Sequence, residues 1–349
     1  MLSGRIDPHR LEAFAAEVLR AVEVPVEDAE LVANSLVLAD LWGHQSHGMM
    51  RLPWYYRRIR SGVMKPVTRP DMVIDSGGVA VLDGNDGVGQ VLASRAMHEA
   101  IGRAKTYGLG AVGVRNSNHF GTAGYFTRMA PVEGCVGLLT TNAGPAMAPW
   151  GGRVKAVGNN PWSIAAPGGR RGLVVMDVAN TVVARGKILL ARQQGALIPE
   201  GWALNVAGEP TTDPNEALNG LILPMAGHKG YIISLMIDVL SGVLTGSSFG
   251  SSVSSPYYYD RRSGSGHLAI ALDIGTFMPL ATFNSRMDLL LDEIKAAPLA
   301  VGFDDVSYPG EPEARNEELN RANGLKLPEQ TLRDLDKIAA EVGVDASFA

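Results

Sequence analysis

The sequence predicts an α/β protein with helical segments at both ends of the chain. Five short apolar stretches, each bounded by Gly, Asp or Asn, have the length and composition of buried strands. Amphipathic patterns of helical length separate several of these stretches, and such an alternation is typical of α/β folds. Because 349 residues suffice for two domains, we expect a mainly helical domain from residues 1–75 with about 276–349, and an α/β domain from 76–275.

The N-terminal part of the chain predicts three helices and a linker. The first helix begins at Asp7-Pro8, where a capping residue precedes a proline and apolar residues follow at helical spacing. Pro25 restarts the pattern, and a polar segment at 44–48 leads into a third helix that ends near Arg60. Prolines mark 62–76 as a linker.

The central and C-terminal parts supply the remaining elements. A stretch rich in Ser and Tyr, 246–266, is interpreted as a long surface loop. The predicted strands are 79–82, 111–114, 136–141, 173–176 and 268–272, and the predicted helices are 89–107, 184–194, 229–245, 284–296, 313–322 and 328–341.

The composition excludes several classes of function. A net charge of −5 without any basic tract argues against a general nucleic-acid binder. The single cysteine, Cys135, excludes an internal disulfide and a Cys-based zinc site, and no carboxylate completes the His44 and His47 pair, so no metal is predicted. The most apolar stretch, 231–244, is interrupted by polar residues and is too short to span a bilayer. We therefore expect a cytoplasmic protein with no membrane or nucleic-acid partner.

A polar cluster between the second and third helices carries the residues needed for chemistry on a small 2-oxo or 2-hydroxy acid. The imidazole of His47 can exchange a proton near neutral pH. Arg51 lies four residues further on, so the start of a helix would place it on the same face, where its guanidinium can hold a carboxylate. Ser46 could bind substrate or orient the imidazole. The alternative is an ordinary helix cap beside two surface histidines.

Four other polar segments lie next to apolar ones and are candidates for ligand contact. Residues 116–124 contain His119 and follow a predicted strand, with small residues whose backbone amides could face phosphate oxygens. A turn with an N-cap would explain the same segment equally well. The other three candidates are the Asn-containing turn 158–161, Asp177 at a strand end, and the segment 227–230, where Lys229 stands at a helix start. Lys187 is a further candidate cation.

A dinucleotide fingerprint of the Rossmann type is rejected. Residues 83–90 follow a predicted strand and open a helix, but Leu92 stands where the third glycine of G-x-G-x-x-G belongs. No acidic residue follows about 20 residues later, where the motif requires a carboxylate for the ribose.

Taken together, the segments resemble the malate/L-lactate dehydrogenase family of the second type, which also includes sulfolactate, ureidoglycolate, diketogulonate and cyclic-imine oxidoreductases. The resemblance rests on seven segments that occur in the family's order across nearly the whole chain. They are A-D-L-W-G-H-Q-S-H-G (39–48), S-N-H-F-G-T-A-G (117–124), G-N-N-P (158–161), V-A-R-G-K-I (183–188), P-T-T-D-P (210–214), G-H-K-G-Y (227–231) and Y-P-G-E (308–311).

This resemblance implies a non-Rossmann fold with a mixed β-sheet and flanking helices, and a homodimer with shared sites. It implies that His47, with Ser46 beside it, is the proton donor and that Arg51 binds the substrate carboxylate. His119 lines the cofactor, and in some members the matching histidine has the acid–base role. Lys187 is a further candidate for substrate or cofactor contact. The implied cofactor contacts are His119, Phe120, Gly121, Thr122, Ala123, Asn142, Asn160, Asp177, Val178, Ala179, Lys187, His228, Lys229, Pro309, Gly310 and Glu311.

The expected function is hydride transfer between NAD or NADP, with NAD favoured, and C2 of a malate- or lactate-like acid. One alternative is an NADPH-dependent reductase of cyclic 2-imino acids, although those members carry Asp where this chain has Lys187. Another alternative is a non-catalytic protein that binds 2-oxo acids or dinucleotides. Asn159 and Trp162 also differ from the residues usual in the family, which leaves the details of cofactor and substrate fit open.

Overall fold

The computed structural model describes residues 4–346. Residues 1–3 and 347–349, which belong to the predicted helical domain, lie outside the described residues. The main architectural feature is a seven-stranded sheet in the order β1-β2-β3-β10-β4-β5-β6. Its strands are β1 (Asp71–Ser76), β2 (Val79–Asp83), β3 (Leu109–Ser117), β4 (Cys135–Thr141), β5 (Trp162–Pro167), β6 (Leu173–Val178) and β10 (Ser265–Asp273).

The sheet is mixed, as predicted. β2 and β3 run parallel, with Ala80 opposite Val112, and every other neighbouring pair is antiparallel. The long crossover between β2 and β3 contains α4 (Gly89–Tyr107), as parallel pairing requires. All five strands predicted from the sequence are present, and the non-Rossmann mixed sheet with flanking helices is confirmed.

Helical segments cover both faces of the sheet. α4 packs on β3 so closely that a Cβ added at Gly110 would lie 2.0 Å from the carbonyl oxygen of Ala100. Gly113, three residues along the same strand and therefore on the opposite face, approaches Thr245 instead. The buried centre of the sheet, β10, is thus enclosed on both sides.

The helices at the two ends of the chain share one apolar core. α1 packs on α2, and α13 packs on α1 and α3, so that residues from 6–91 and 325–339 form a continuous buried cluster. Proline begins or precedes several of these helices, and Asp7 caps α1 by accepting a hydrogen bond from the backbone of His9. The division of the chain into two domains stays a prediction.

A separate, smaller hydrophobic core lies outside the seven-stranded sheet. It is formed by apolar residues that include Val183, Ile188 and Ile222. It contains the three-stranded sheet β8-β7-β9, formed by β7 (Ala203–Leu204), β8 (Pro210–Thr211) and β9 (Leu221–Ile222).

The predicted helices are present, but the helix predicted at 229–245 ends at Asp238 and continues as one π-helical turn, Val239–Val243. The helices are α1 (Pro8–Arg20), α2 (Val26–Leu41), α3 (Leu52–Arg60), α4 (Gly89–Tyr107), α5 (Gly124–Thr127), α6 (Met129–Val132), α7 (Arg185–Gln193), α8 (Pro214–Asn219), α9 (His228–Asp238), α10 (Ile274–Phe277), α11 (Leu280–Lys295), α12 (Glu311–Asn323) and α13 (Glu329–Val342). Strand β1 was missed within the predicted linker. Strands β5, β7, β8 and β9 and the short helices α5, α6, α8 and α10 were also not predicted.

Candidate active site

His47 and Arg51 lie on two short 3₁₀ turns, Gln45–His47 and Met49–Arg51, and not on one helix. The expectation that a single helical turn aligns them was therefore wrong, because Gly48 interrupts the helix with ψ −146°. The two residues still come together. Nε of Arg51 donates a hydrogen bond of 2.5 Å to the carbonyl oxygen of Ser46, which turns the guanidinium back toward His47.

Asp40 of α2 holds the junction between the two 3₁₀ turns in place. Its carboxylate is buried and accepts a 2.7 Å hydrogen bond from the backbone N–H of Met49. Burial raises the pKa of Asp40 to about 7, and the hydrogen bond from Met49 opposes that rise. Gly48 lies directly against this carboxyl group, and a Cβ there would stand 2.2 Å from Cγ of Asp40.

We expect Gly48→Ala to lower both stability and turnover. The added methyl group has no space beside Asp40, and overpacking of this kind costs about 1–3 kcal/mol in the free energy of unfolding. Any shift of the turn also moves His47 and Arg51, and a misplacement of about 1 Å can cost roughly 100-fold in rate. Urea unfolding and steady-state kinetics measure both effects.

Gly102→Ala is the matched control for this prediction. Gly102 lies in α4, where a Cβ would meet no atom within 4 Å. Alanine there should leave activity unchanged and stabilise the helix by about 1 kcal/mol or less. Equal behaviour of the two variants would contradict the assigned role of the contact between Gly48 and Asp40.

Two histidine rings lie side by side at the site. The rings of His47 and His119 have centroids 5.9 Å apart and planes inclined by 18°. Nδ1 of His47 is 2.9 Å from Oγ of Ser46, and Nδ1 of His119 is 2.8 Å from the hydroxyl of Tyr55.

The tautomer of His119 follows from its partners. The backbone N–H of Gly121 donates to Nδ1 of His119 over 3.3 Å. Since a backbone N–H only donates, this nitrogen is the acceptor, and the Tyr55 hydroxyl also donates to it. The proton of the neutral ring is therefore on Nε2, which leaves an N–H free for a ligand.

Both imidazoles are neutral at physiological pH. Burial lowers the pKa of His47 to about 3, and the positive charge of Arg51 adds to this effect. Burial also lowers the pKa of His119 well below its usual value, again with contributions from His47 and Arg51. A neutral imidazole has a free nitrogen that can accept a proton, but the lowered pKa makes it a weak base in the free protein, and donating a proton requires prior protonation.

The guanidinium of Arg51 is held by aromatic side chains. It is 7% exposed, and its carbon lies 3.5 Å from the ring centroid of Trp54, within cation–π range. Burial lowers the pKa of Arg51, while Tyr257 and Tyr55 oppose this shift. No carboxylate of the described residues forms an ion pair with it, so its charge is available to an anionic ligand.

Arg51, Trp54 and His119 open onto a cavity of about 840 Å³. The 251–258 segment forms another wall, and the ring of Tyr257 packs edge-on against Trp54 at 4.3 Å. The stretch predicted as a surface loop is thus irregular, apart from the 3₁₀ turn Gly250–Ser252, and forms part of the site. The volume of the cavity, about 840 Å³, falls within the range of small-molecule binding sites.

A second cavity, of about 250 Å³, is lined by other residues that were predicted as cofactor contacts. Asp177 and Gly310 line it together with Trp42 and His44. The Asp177 carboxylate accepts a 2.7 Å hydrogen bond from the backbone N–H of Gly124, and burial raises the pKa of this carboxyl. Gly310 has φ +92°, which places it against β6, where any side chain would crowd Val175.

The 119–124 turn connects the two cavities. His119 faces the larger one and Gly124 the smaller one. Gly121, with φ +87°, leaves open space toward His47, and the hydroxyl of Thr122 is buried without a hydrogen-bond partner. An unpaired buried hydroxyl beside open backbone fits an extended polar ligand such as a dinucleotide.

The remaining predicted contacts fall into two groups. Those whose polar groups are engaged within the protein are Asn142 (with Asp238, Ser248 and Gly266), Asn160 (with Ala143 and Ser234), Glu311 (with Lys295 and Arg315) and Pro309 (with Val175). Those at the surface or partly buried are Lys187, His228, Lys229, Val178 and Ala179, while Phe120 and Ala123 are buried in the sheet core.

Several site residues were missed from the sequence. Trp54 and Tyr55 lie three and four residues after Arg51, and this helical spacing is a signal that could have revealed them. His267 is buried in β10 next to β3 and β4. Its Nδ1 is 2.8 Å from Oγ1 of Thr141, and its Nε2 is 2.7 Å from Oγ of Ser117. Its ring also packs on Phe120 at 4.8 Å.

We expect the free energy of unfolding to fall in mild acid because of these buried histidines. Burial lowers the pKa of His267 to about 3, so below about pH 6.5 the unfolded chain takes up a proton that the folded chain does not. The stability is fully present above pH 6.5 and is lost progressively toward pH 3. His267→Gln should reduce the pH slope of the unfolding free energy by roughly 1.4 kcal/mol per pH unit in this window. Urea unfolding at pH 7.5 and 5.0 tests this, and an unchanged slope would contradict it.

Within residues 4–346 no three His, Cys, Asp or Glu side chains are grouped to hold a metal ion. None of the helices in that same range is long and apolar enough to cross a membrane.

A proton acceptor lies near a buried cation that no carboxylate among residues 4–346 neutralises, and this arrangement suits an oxidoreductase that acts on small hydroxy acids. Residues 6–336 match the malate/L-lactate dehydrogenase family, and the chain belongs to that family. The L-sulfolactate dehydrogenase of Methanocaldococcus jannaschii is 40% identical, over 97% of this chain and 98% of that protein. The solved structure of sulfolactate dehydrogenase from that organism has a TM-score of 0.92 and 39% identity, and 98% of each chain is covered.

Relatives differ in the cofactor that their names carry. The (2R)-3-sulfolactate dehydrogenase (NADP(+)) of Chromohalobacter salexigens is 37% identical over 96% of this chain and 98% of that protein. The ureidoglycolate dehydrogenase (NAD(+)) of Escherichia coli K12 is 37% identical over 86% of both. This chain is accordingly an NAD(P)-dependent dehydrogenase of 2-hydroxy acids.

Proposed function

We propose that this chain transfers hydride reversibly between NAD(P) and C2 of a small 2-hydroxy acid at the site formed by His47, Arg51 and His119. The observation that carries the proposal is the pair of stacked neutral imidazoles near a guanidinium that has no carboxylate partner within residues 4–346. The guanidinium supplies the charge that a C1 carboxylate requires, and the imidazoles supply groups for the C2 oxygen.

His47 is the acid–base residue in this proposal. When Nδ1 of His47 donates to Ser46, Nε2 is free to take the hydroxyl proton of the substrate. His119 cannot take a proton at Nε2 in the same way, because its neutral tautomer already carries one there. His119 instead donates a hydrogen bond to the C2 oxygen and so orients it.

Substrate binding changes the protonation of His47 in a defined direction. Arg51 contributes to the lowered pKa of His47, and a substrate carboxylate on that guanidinium cancels part of this effect. Oxidation of a hydroxy acid starts from the neutral imidazole that the free protein already has. Reduction of a 2-oxo acid takes up a proton on binding, so its kcat/KM should fall as the pH rises.

The cofactor contacts belong to the 119–124 turn and to the smaller cavity. The bound nicotinamide supplies or accepts the hydride. Thr122 offers its unpaired hydroxyl, and Asp177 offers a carboxylate suited to ribose hydroxyls. We propose NAD over NADP, because Asp177 repels a 2′-phosphate while Arg128 and Arg171 of the same cavity are paired with Glu317 and Asp292.

A panel of substrates tests the function. Purified protein is mixed with NADH or NADPH and with pyruvate, oxaloacetate, 3-sulfopyruvate or a cyclic 2-imino acid, and loss of absorbance at about 340 nm is followed. We expect oxidation of the reduced cofactor with at least one 2-oxo acid and a higher kcat/KM with NADH. Failure of every 2-oxo acid would refute the proposal, and activity confined to the imine would replace it.

We further propose a homodimer located in the cytoplasm. Exposed apolar side chains form a continuous helical face on α9 and the π-helical turn, and burial against a second copy would remove them from water. These side chains are Ile232, Leu235, Met236, Val239 and Val243. Light scattering measures the oligomeric state, and cell fractionation measures the location.

A further inference from the structure

We propose that Lys155 and Arg185 form a second anion subsite in the larger cavity, which takes the distal carboxylate or sulfonate of a dianionic 2-oxo or 2-hydroxy acid. The inference rests on the proposed function and names the class of substrate that the site selects. It adds two residues that the sequence did not single out.

The larger cavity is strongly cationic in an acidic protein. Five cationic side chains line it, and none of its lining residues is Asp or Glu. The whole chain has a net charge of −5, so this local excess does not follow from composition. The cationic side chains are Arg51, Lys155, Arg185, Arg261 and Arg262.

Two of these five charges are neutralised within the protein. Arg261 is paired with Asp260 at 2.8 Å, and Arg262 with Asp86 at 2.7 Å. Arg51, Lys155 and Arg185 form no ion pair with any residue from 4 to 346. Arg51 is assigned to the C1 carboxylate, so two cations remain for a second negative group.

Lys155 and Arg185 interact unfavourably in the free protein. Burial lowers the pKa of the Lys155 ammonium, and the positive charge of Arg185 lowers it further. Arg185 has one long hydrogen bond, 3.4 Å to the carbonyl oxygen of Leu218. Lys155 is partly buried and Arg185 is exposed, and these two like charges are stabilised when an anion binds beside them.

The surroundings of the pair suit a carboxylate or sulfonate. Thr181 and Asn159 line the same wall and can donate hydrogen bonds to its oxygens. Arg51 lines the same cavity, and the proposal requires that one small acid with charges at both ends reach both subsites. A monoanion such as pyruvate leaves the second subsite unneutralised.

The test compares dianionic with monoanionic substrates in Lys155→Met, Arg185→Met and the double variant. We expect the ratio of kcat/KM for oxaloacetate to kcat/KM for pyruvate to fall by roughly 10-fold in Lys155→Met, whose side chain is partly buried, and by less in Arg185→Met, whose side chain is exposed. The KM for NADH should stay within about twofold, since the proposed function places the cofactor at the 119–124 turn and the smaller cavity. Arg153→Met is the matched control, because Arg153 is exposed, is two residues from Lys155 and does not line the cavity.

Binding of acids in the absence of cofactor separates this inference from the proposed function. Calorimetry without cofactor, with malate, a dianion with a distal carboxylate, and lactate, a monoanion, requires no turnover. A loss of malate affinity alone supports the subsite even when no 2-oxo acid is reduced. Equal losses for both acids, an unchanged ratio, or a raised KM for NADH would overturn it, and the last result would assign the pair to a cofactor phosphate.

Discussion

Replacement of His47 by alanine is expected to lower kcat by roughly 10²–10⁴-fold, the usual contribution of a general acid–base group. The ring of His47 stacks on His119 and is free of charged hydrogen-bond partners, so its removal deletes the proton acceptor without opening an ion pair. Binding of NADH should change little. Stopped-flow measurement of hydride transfer and fluorescence titration of NADH give the two quantities.

The matched variant for this prediction is His119→Gln. Gln keeps a hydrogen-bond donor but cannot exchange a proton, so we expect a smaller loss and an unchanged pH profile. For His47→Ala the dependence of 2-oxo acid reduction on pH should disappear, because the group whose protonation accompanies binding is gone. Full turnover in His47→Ala, together with a lost pH profile in His119→Gln, would transfer the acid–base role to His119.

Replacement of Arg51 by methionine is expected to lower kcat/KM for the 2-oxo acid by about 10²–10³-fold, since one partner of a desolvated charge pair is removed. The effect should appear mainly in KM, because the C1 carboxylate is present in both ground state and transition state. Methionine retains contact with Trp54, so the loss reports charge more than packing.

Arg51→Lys is the control variant, because it keeps the positive charge and removes the planar guanidinium. Lysine keeps the positive charge but cannot donate to Ser46 and grip a carboxylate with two parallel hydrogen bonds. We expect an intermediate kcat/KM. A KM for the 2-oxo acid that is the same in all three proteins would show that the carboxylate binds elsewhere.

The central strands were predictable because their local sequence shows an apolar stretch between turn residues. Stretches such as 136–141 are apolar and bounded by turn residues, and they lie in the buried middle of the sheet. β1 is an edge strand whose six residues are all exposed, so it has no buried face to produce an apolar alternation. β5 contains Ser163 and two alanines, follows Pro161 and ends at Pro167, so its apolar alternation is weak. Pairing with β4 and β6 decides its conformation, and that information is not local.

The site was predictable where its residues are close in sequence. Ser46, His47 and Arg51 fall within one polar cluster, and His119 within another. Their approach depends on Gly48 and Asp40, and no local pattern expresses that contact. Lys155 and Arg185 reach the same cavity from separate segments, so their shared charge becomes visible only after folding.

A crystal structure with NAD(H) and oxamate, an unreactive analogue of a 2-oxo acid, tests the central claim most directly. We predict the oxamate carboxylate on the guanidinium of Arg51, its C2-type oxygen within about 3 Å of the imidazoles of His47 and His119, and the nicotinamide ring against the same molecule. Oxamate bound away from Arg51, or a nicotinamide distant from both histidines, would contradict the claim.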